Sequence, residues 1–261
     1  MLTALKYIGN FILSFCADVG ALALFIWGAC RVTLKPPYYL SEIIKQSKNI
    51  TVRCLLPVIG VTVPFGMVVA LHGINVFRMF GTEQLLSSLL AVSILRELAP
   101  GAATIMIAAQ AGTAVTAEIG AMKIKQEFDA AEVMAINPLK FIIFPRLIGI
   151  IIASVIVIAL AGMFGLAGGW FVAVVLKGAN NGYFFANLFN FLHLVDIWGS
   201  VVKAVVFGLV IGSFACYSGF QVQHGAEEVG KATNNTVISS IIANITLNYF
   251  LTQILYRGTM Q

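Results

Sequence analysis

The 261-residue sequence is poor in charge. Only 10% of its residues are Asp, Glu, Lys or Arg, whereas 59% are hydrophobic. Soluble domains carry about a quarter charged residues, so this chain has too few polar side chains to cover a surface facing water. That excludes an ordinary soluble globular protein. Its apolar stretches are continuous and do not alternate with polar residues over roughly ten-residue segments, which argues against a transmembrane barrel. The three histidines, His72, His193 and His224, are scattered without metal-ligand spacing, and no metal site is expected. The four cysteines, Cys16, Cys30, Cys54 and Cys216, form no CxxC pair and read as small packing residues. Enzyme signatures are missing as well: no GxxxxGK[ST], no HExxH and no GxSxG. No catalytic residue is therefore expected, and any nucleotide-driven work needs a separate motor. The net charge of +5 does not point to nucleic acid, because the basic residues sit between apolar runs. No cleavable signal peptide is expected, since Asp18 interrupts the first apolar stretch.

What is present is a series of long apolar runs, and these predict an all-α integral membrane protein in one domain over residues 1–261. Residues 1–30 are apolar but broken by Lys6, Asn10 and Asp18, which suits a helix lying in the membrane interface. Five transmembrane helices are expected at 54–77, 85–117, 147–176, 198–219 and 236–256. The second is longer than one bilayer crossing and should tilt, kink or break near Pro100. Basic residues set the orientation. With the N-terminus in the cytoplasm, Lys6, Arg31, Lys35, Lys45, Lys48 and Arg53 lie inside, together with the segment holding Lys123, Lys125, Lys140 and Arg146. Small residues recur four apart, as in Gly208 and Gly212, Gly165 and Gly169, and the face formed by Ala108, Gly112, Thr116 and Gly120. Such spacing serves close helix packing, within one chain or between subunits.

Charge inside the spans marks the candidate site. Arg96 and Glu97 interrupt the second run and Lys203 the fourth. An ionisable residue at membrane depth is costly unless it faces a cavity or a partner. Neighbouring helical residues point about a hundred degrees apart, so Arg96 and Glu97 should each find a separate partner. A relation between Glu97 and Lys203 is one option, and Lys203 snorkelling to the surface is the other. Between the second and third spans, Phe128, Ala131, Met134 and Ala135 recur at helical spacing among Lys125, Glu127, Asp129 and Glu132. This predicts a short amphipathic helix, ended at Asn137-Pro138, that is either a docking element or a turn on the headgroups.

The segments LRELAP (Leu95–Pro100), AGTAVTAEIGAMK (Ala111–Lys123), FDAAEVMAINPLKFIIFPR (Phe128–Arg146) and HGAEEVGKATNNTVISS (His224–Ser240) together resemble the MlaE/YrbE permease family. The resemblance implies a permease subunit of an ABC transporter that moves lipid, by default phospholipid, between membranes. It implies a homodimer in the inner membrane, a cytoplasmic ABC ATPase dimer that uses the ATP, and an MCE-domain protein on the periplasmic side. It implies an interfacial helix followed by five spans. It makes the segment Ala121–Ala135 a coupling helix that meets the ATPase through Lys125, Gln126, Glu127, Phe128, Glu132 and Met134. Arg96, Glu97 and Lys203 become substrate-binding residues, with Arg96 the expected phosphate contact. The chain departs from the family pattern at Ala99, Gln110 and Gln126-Glu127. Two other functions compete: a gradient-driven secondary transporter using Glu97 as proton carrier, and an anchor that only assembles other subunits.

Overall fold

The computed structural model describes residues 17, 20–28, 31 and 39–257. Among them every regular element is helical, and five helices are long and apolar enough to cross a membrane. Of the interfacial helix expected over 1–30, residues 20–28 are described and are helical; the remainder lies almost wholly outside the described residues.

The first crossing helix, α1 (Leu40–Met79), starts well before the apolar run expected at 54–77. At 40 residues it is about 60 Å long, twice a hydrocarbon core. Its first turns carry Glu42, Lys45, Gln46, Lys48 and Arg53, which fits a part standing outside the bilayer. Pro57 and Pro64 remain inside the helix.

The second crossing segment runs from Glu83 to Ile124 and is composite. It contains α2 (Leu86–Ser93), a wide π turn (Ile94–Leu98), α3 (Ala99–Ile107), a second π turn (Ala108–Gly112) and α4 (Thr113–Ile124). The expected break near Pro100 takes the form of that first wide turn. Pro100 sits in the opening turn of α3, and the chain continues through it. Wide turns of this kind concentrate at functional positions.

Next comes α5 (Glu127–Val133), shorter than the segment Ala121–Ala135 assigned to it, because residues 121–124 still belong to α4. Gln126 and Ala135, one on each side of α5, hold left-handed backbone angles, φ 59 and 58. Asn137-Pro138 does not end α5, as its pattern suggested; it opens the following helix. Asn137 Oδ1 accepts from the amides of Leu139 and Lys140 at 3.0 and 3.4 Å, and Pro138 lacks the N–H that a first turn leaves unbonded.

The third crossing segment (Leu139–Leu176) is built on α6 (Phe144–Trp170). A helix not anticipated from the sequence, α7 (Asn181–Phe191), follows it, with Asn180 Oδ1 capping its first turn and Phe184 and Leu188 buried. The last two crossings are α8 (Leu194–Gln221) and α9 (Gly225–Tyr256).

Glycines set the closest approaches. A Cβ on Gly66 would overlap the Gly165 carbonyl, and one on Gly168 the Val63 carbonyl, so α1 and α6 pack backbone to backbone. The small face of the second segment packs within the chain too: Gly112 lies against Ile211 and Thr236, and Gly120 against Val222 and Val229. Gly208 meets Ile151 and Ser154 of α6. Cys54 and Cys216 are buried as free thiols. The outward faces expose large apolar side chains such as Leu56 (81%) and Ile242 (62%), a surface suited to lipid. The connections place α5 at one end of the bundle and α7 at the other.

Candidate functional site

Arg96 and Glu97 lie in the first wide turn, nearer the α7 end. As their angular separation predicted, they reach different partners. Arg96 Nε donates to Asp196 Oδ1 at 2.7 Å, with the two side chains 11% and 2% exposed. Asp196 is fixed in turn by its helix, because its Oδ2 accepts from the His193 amide at 3.1 Å and so caps α8. The Arg96 guanidinium lies 4.6 Å from the centre of the Tyr256 ring.

Glu97 finds Lys203. The Lys203 Nζ lies 3.1 Å from Glu97 Oε1, and its side chain is fully buried. It does not snorkel. Pro100 explains part of its position. Proline has no N–H, so the Arg96 carbonyl four residues earlier loses its α-helical donor. Lys203 Nζ donates to that carbonyl at 2.6 Å and to Thr252 Oγ1 at 2.8 Å. Glu97 also accepts from Thr252 Oγ1 at 2.7 Å and from Asn248 Nδ2 at 2.8 Å. Two cations and two anions are thus held by three crossing segments, with Asp196 and Lys203 buried and Glu97 open on one side.

The cluster opens on one side into a cleft of about 460 Å³, lined by Arg96, Glu97, Ile245, Asn248, Tyr249 and Thr252 among others. Reading single charges in apolar runs found Arg96, Glu97 and Lys203. It missed Asp196, Asn248 and Thr252. The last two had a signal in the sequence, since Thr236, Ser240, Asn244, Asn248 and Thr252 place a polar residue at every fourth position of α9. Asp196 stands at a helix start, where an acid has a local explanation that conceals its pairing role.

At the α5 end a second ionic group joins three crossing segments. Glu118 lies 3.5 Å from Arg53 and 3.7 Å from Arg146. Beyond it, α5 is pinned by Phe128. This ring is 1% exposed, 5.5 Å from the Phe220 ring, and Lys123 Nζ stands over both. Of the six residues expected to face a partner, Lys125, Gln126, Glu127, Glu132 and Met134 are exposed, whereas Phe128 anchors the helix to the bundle. Val133, not singled out from the sequence, is 89% exposed beside Met134. The family departures also have places. Ala99 is buried facing Gly162, where a methyl group fits, and Gln110 is exposed in the second wide turn.

Comparison with known proteins agrees over nearly the whole chain. Residues 43–254 match the family described as Permease MlaE. The chain is 33% identical to the Probable ABC transporter permease protein of Rickettsia typhi, over 98% of this chain and 99% of that one. It is 30% identical to the Intermembrane phospholipid transport system permease protein MlaE of Haemophilus influenzae, over 95% and 96% of the two chains. It is also 25% identical to the chloroplastic protein TRIGALACTOSYLDIACYLGLYCEROL 1 of Arabidopsis thaliana, over 74% of this chain and 55% of that one. This is a multi-pass membrane protein and a transporter permease subunit, not an enzyme, and it belongs to the MlaE permease family.

Proposed function

We propose that this chain moves phospholipid between membranes as a homodimer in the inner membrane. A cytoplasmic ATPase pair docks on the exposed side of α5 and supplies the ATP hydrolysis, and an MCE-domain protein receives or delivers lipid at the α7 end. The N-terminus then lies in the cytoplasm. The observation that carries this reading is the charged cluster of Arg96, Glu97, Asp196 and Lys203, which opens through Arg96 and Glu97 into a cleft among apolar crossing helices. Such a site suits an amphiphile: polar groups meet the headgroup while apolar walls such as Ile245 meet the tails. Arg96 remains the candidate phosphate contact through the guanidinium donors that Asp196 does not use.

Motion follows from the two ends. Nucleotide-driven closure of the ATPases would carry the paired α5 helices together, and α4, continuous with the segment that holds Arg96 and Glu97, would pass the movement to the cleft.

The test is lipid transfer by the complete complex in reconstituted vesicles. Transfer should need ATP. It should fall at least tenfold in Arg96→Ala and Glu97→Ala complexes, and in a Val133→Asp/Met134→Asp complex that no longer engages the ATPase. Transfer that continues without the ATPase and collapses with an uncoupler would replace this reading with a gradient-driven transporter. Complexes that assemble with altered α5 yet lose all lipid movement would dispose of a purely structural anchor.

A further inference from the structure

The cleft is not a simple cationic phosphate trap. Its two cations are each matched by an anion: Arg96 by Asp196 at 2.7 Å and Lys203 by Glu97 at 3.1 Å. Lys203 is wholly buried and Arg96 is 11% exposed, while the Glu97 side chain is 38% exposed. The ionic group most open to a ligand is therefore a carboxylate.

The hydrogen-bond inventory points the same way. A carboxylate offers about four lone-pair positions. Three are engaged: Lys203 and Thr252 reach Oε1, and Asn248 Nδ2 reaches Oε2. One position on Oε2 stays open. The Asn248 amide orientation follows from chemistry, because its oxygen would repel the carboxylate and only its nitrogen can face Glu97. That leaves Asn248 Oδ1 without a partner but closed off from the cleft, although Asn248 lines it beside Glu97. The open acceptor on Glu97 can take a donor from the cleft, and an acceptor left unpaired away from water is costly.

We infer that the cleft selects a lipid whose headgroup ends in a primary ammonium, of the phosphoethanolamine type, through Glu97 Oε2. This rests on the phospholipid-permease reading above and adds a substrate class to it. A primary ammonium brings three N–H donors and a positive charge, whereas a trimethylammonium brings the charge with no donor. A headgroup that is net anionic gains little from a cluster whose own charges cancel. The zwitterion fits both ends, its phosphate at Arg96 and its ammonium at Glu97.

The experiment uses the complete complex in vesicles holding equal amounts of four lipids with identical acyl chains. These carry phosphoethanolamine, its N,N-dimethyl form, phosphocholine or phosphoglycerol headgroups. Bound lipid is read by mass spectrometry and transfer is followed with ATP. The phosphoethanolamine lipid should exceed the phosphocholine and phosphoglycerol lipids by about tenfold, the scale of one charge-assisted hydrogen bond, with the dimethyl form between. Glu97→Gln should flatten the ratio. The ratio is internal to each sample, so a lower yield of folded variant does not distort it, and the wild-type series stands without any variant. Binding and ATP-driven transfer without headgroup preference, or with phosphoglycerol preferred, overturns this inference and leaves the permease reading intact. Neither binding nor transfer of any lipid overturns both. Competition by soluble phosphoethanolamine, matching the lipid at equal concentration, would assign the site to a free amine and also overturn the proposal.

Discussion

The two ends of the bundle each tie three crossing segments together with ionic side chains, yet the two groups are built differently. Near α7, Asp196 and Lys203 are 2% and 0% exposed, and nearly every polar atom has a designated partner. Near α5, Arg53 and Glu118 are 58% and 41% exposed while Arg146 is 8% exposed, and Glu118 stands a looser 3.5 Å from Arg53 and 3.7 Å from Arg146. A buried pair gives little net stability, but breaking it by removing one partner is expensive, because the survivor stays buried. An exposed pair contributes little and loses little. The first group therefore behaves as a rigid unit defining a site. The exposed Arg53–Glu118 pair of the second can rearrange at small cost, which suits its proposed place between a motor and the membrane.

The comparison breaks most sharply at Asp196. Asp196→Ala removes the partner of Arg96 and the cap of α8 together, and should cost about 4 kcal/mol or more. Thermal unfolding of the purified protein would show it, and Arg96→Met/Asp196→Ala should recover part of the loss. Lys203→Met comes next. It leaves Glu97 with only Thr252 and Asn248 and should cost about 3 kcal/mol. Adding Glu97→Gln to it should restore stability but not lipid transfer, a split that a purely structural pair would not give. Phe128→Ala should destabilise the whole chain by less, about 2 kcal/mol, because the ring sits at the bundle's edge rather than its centre. Its larger effect should be on ATPase binding, measured by co-purification, since α5 would lose its anchor. The smallest effect is expected for Arg53→Gln, within about 1 kcal/mol and weaker still at high salt. A large loss there would mean that the α5 end is as rigid as the other.

Much of this was legible in the residues. Apolar length predicted five crossings, because the bilayer demands a run of about twenty apolar residues and leaves few alternatives. The helix ends were less legible. The polar start of α1 carries no apolar signal, although helical hydrogen bonding continues there, and the turns before Leu147 are apolar but interrupted by Lys140, Pro145 and Arg146. The short α7 escaped notice because eleven residues are too few for a crossing, and only the Asn180 cap and the buried Phe184 and Leu188 marked it. The charged residues Arg96, Glu97 and Lys203 stood out because hydrocarbon tolerates so few charges.

By itself, then, the sequence determined the solvent of this protein, its helical class and the few side chains too costly to leave facing lipid, since each follows from composition along the chain. Tertiary structure alone decided the pairings: Lys203 with Glu97, Arg96 with Asp196, and Phe128 turned inward to hold α5. Residues about a hundred positions apart in the chain meet only when helices choose their neighbours, and that choice rests on glycine-lined surfaces and backbone carbonyls that no single stretch of sequence displays.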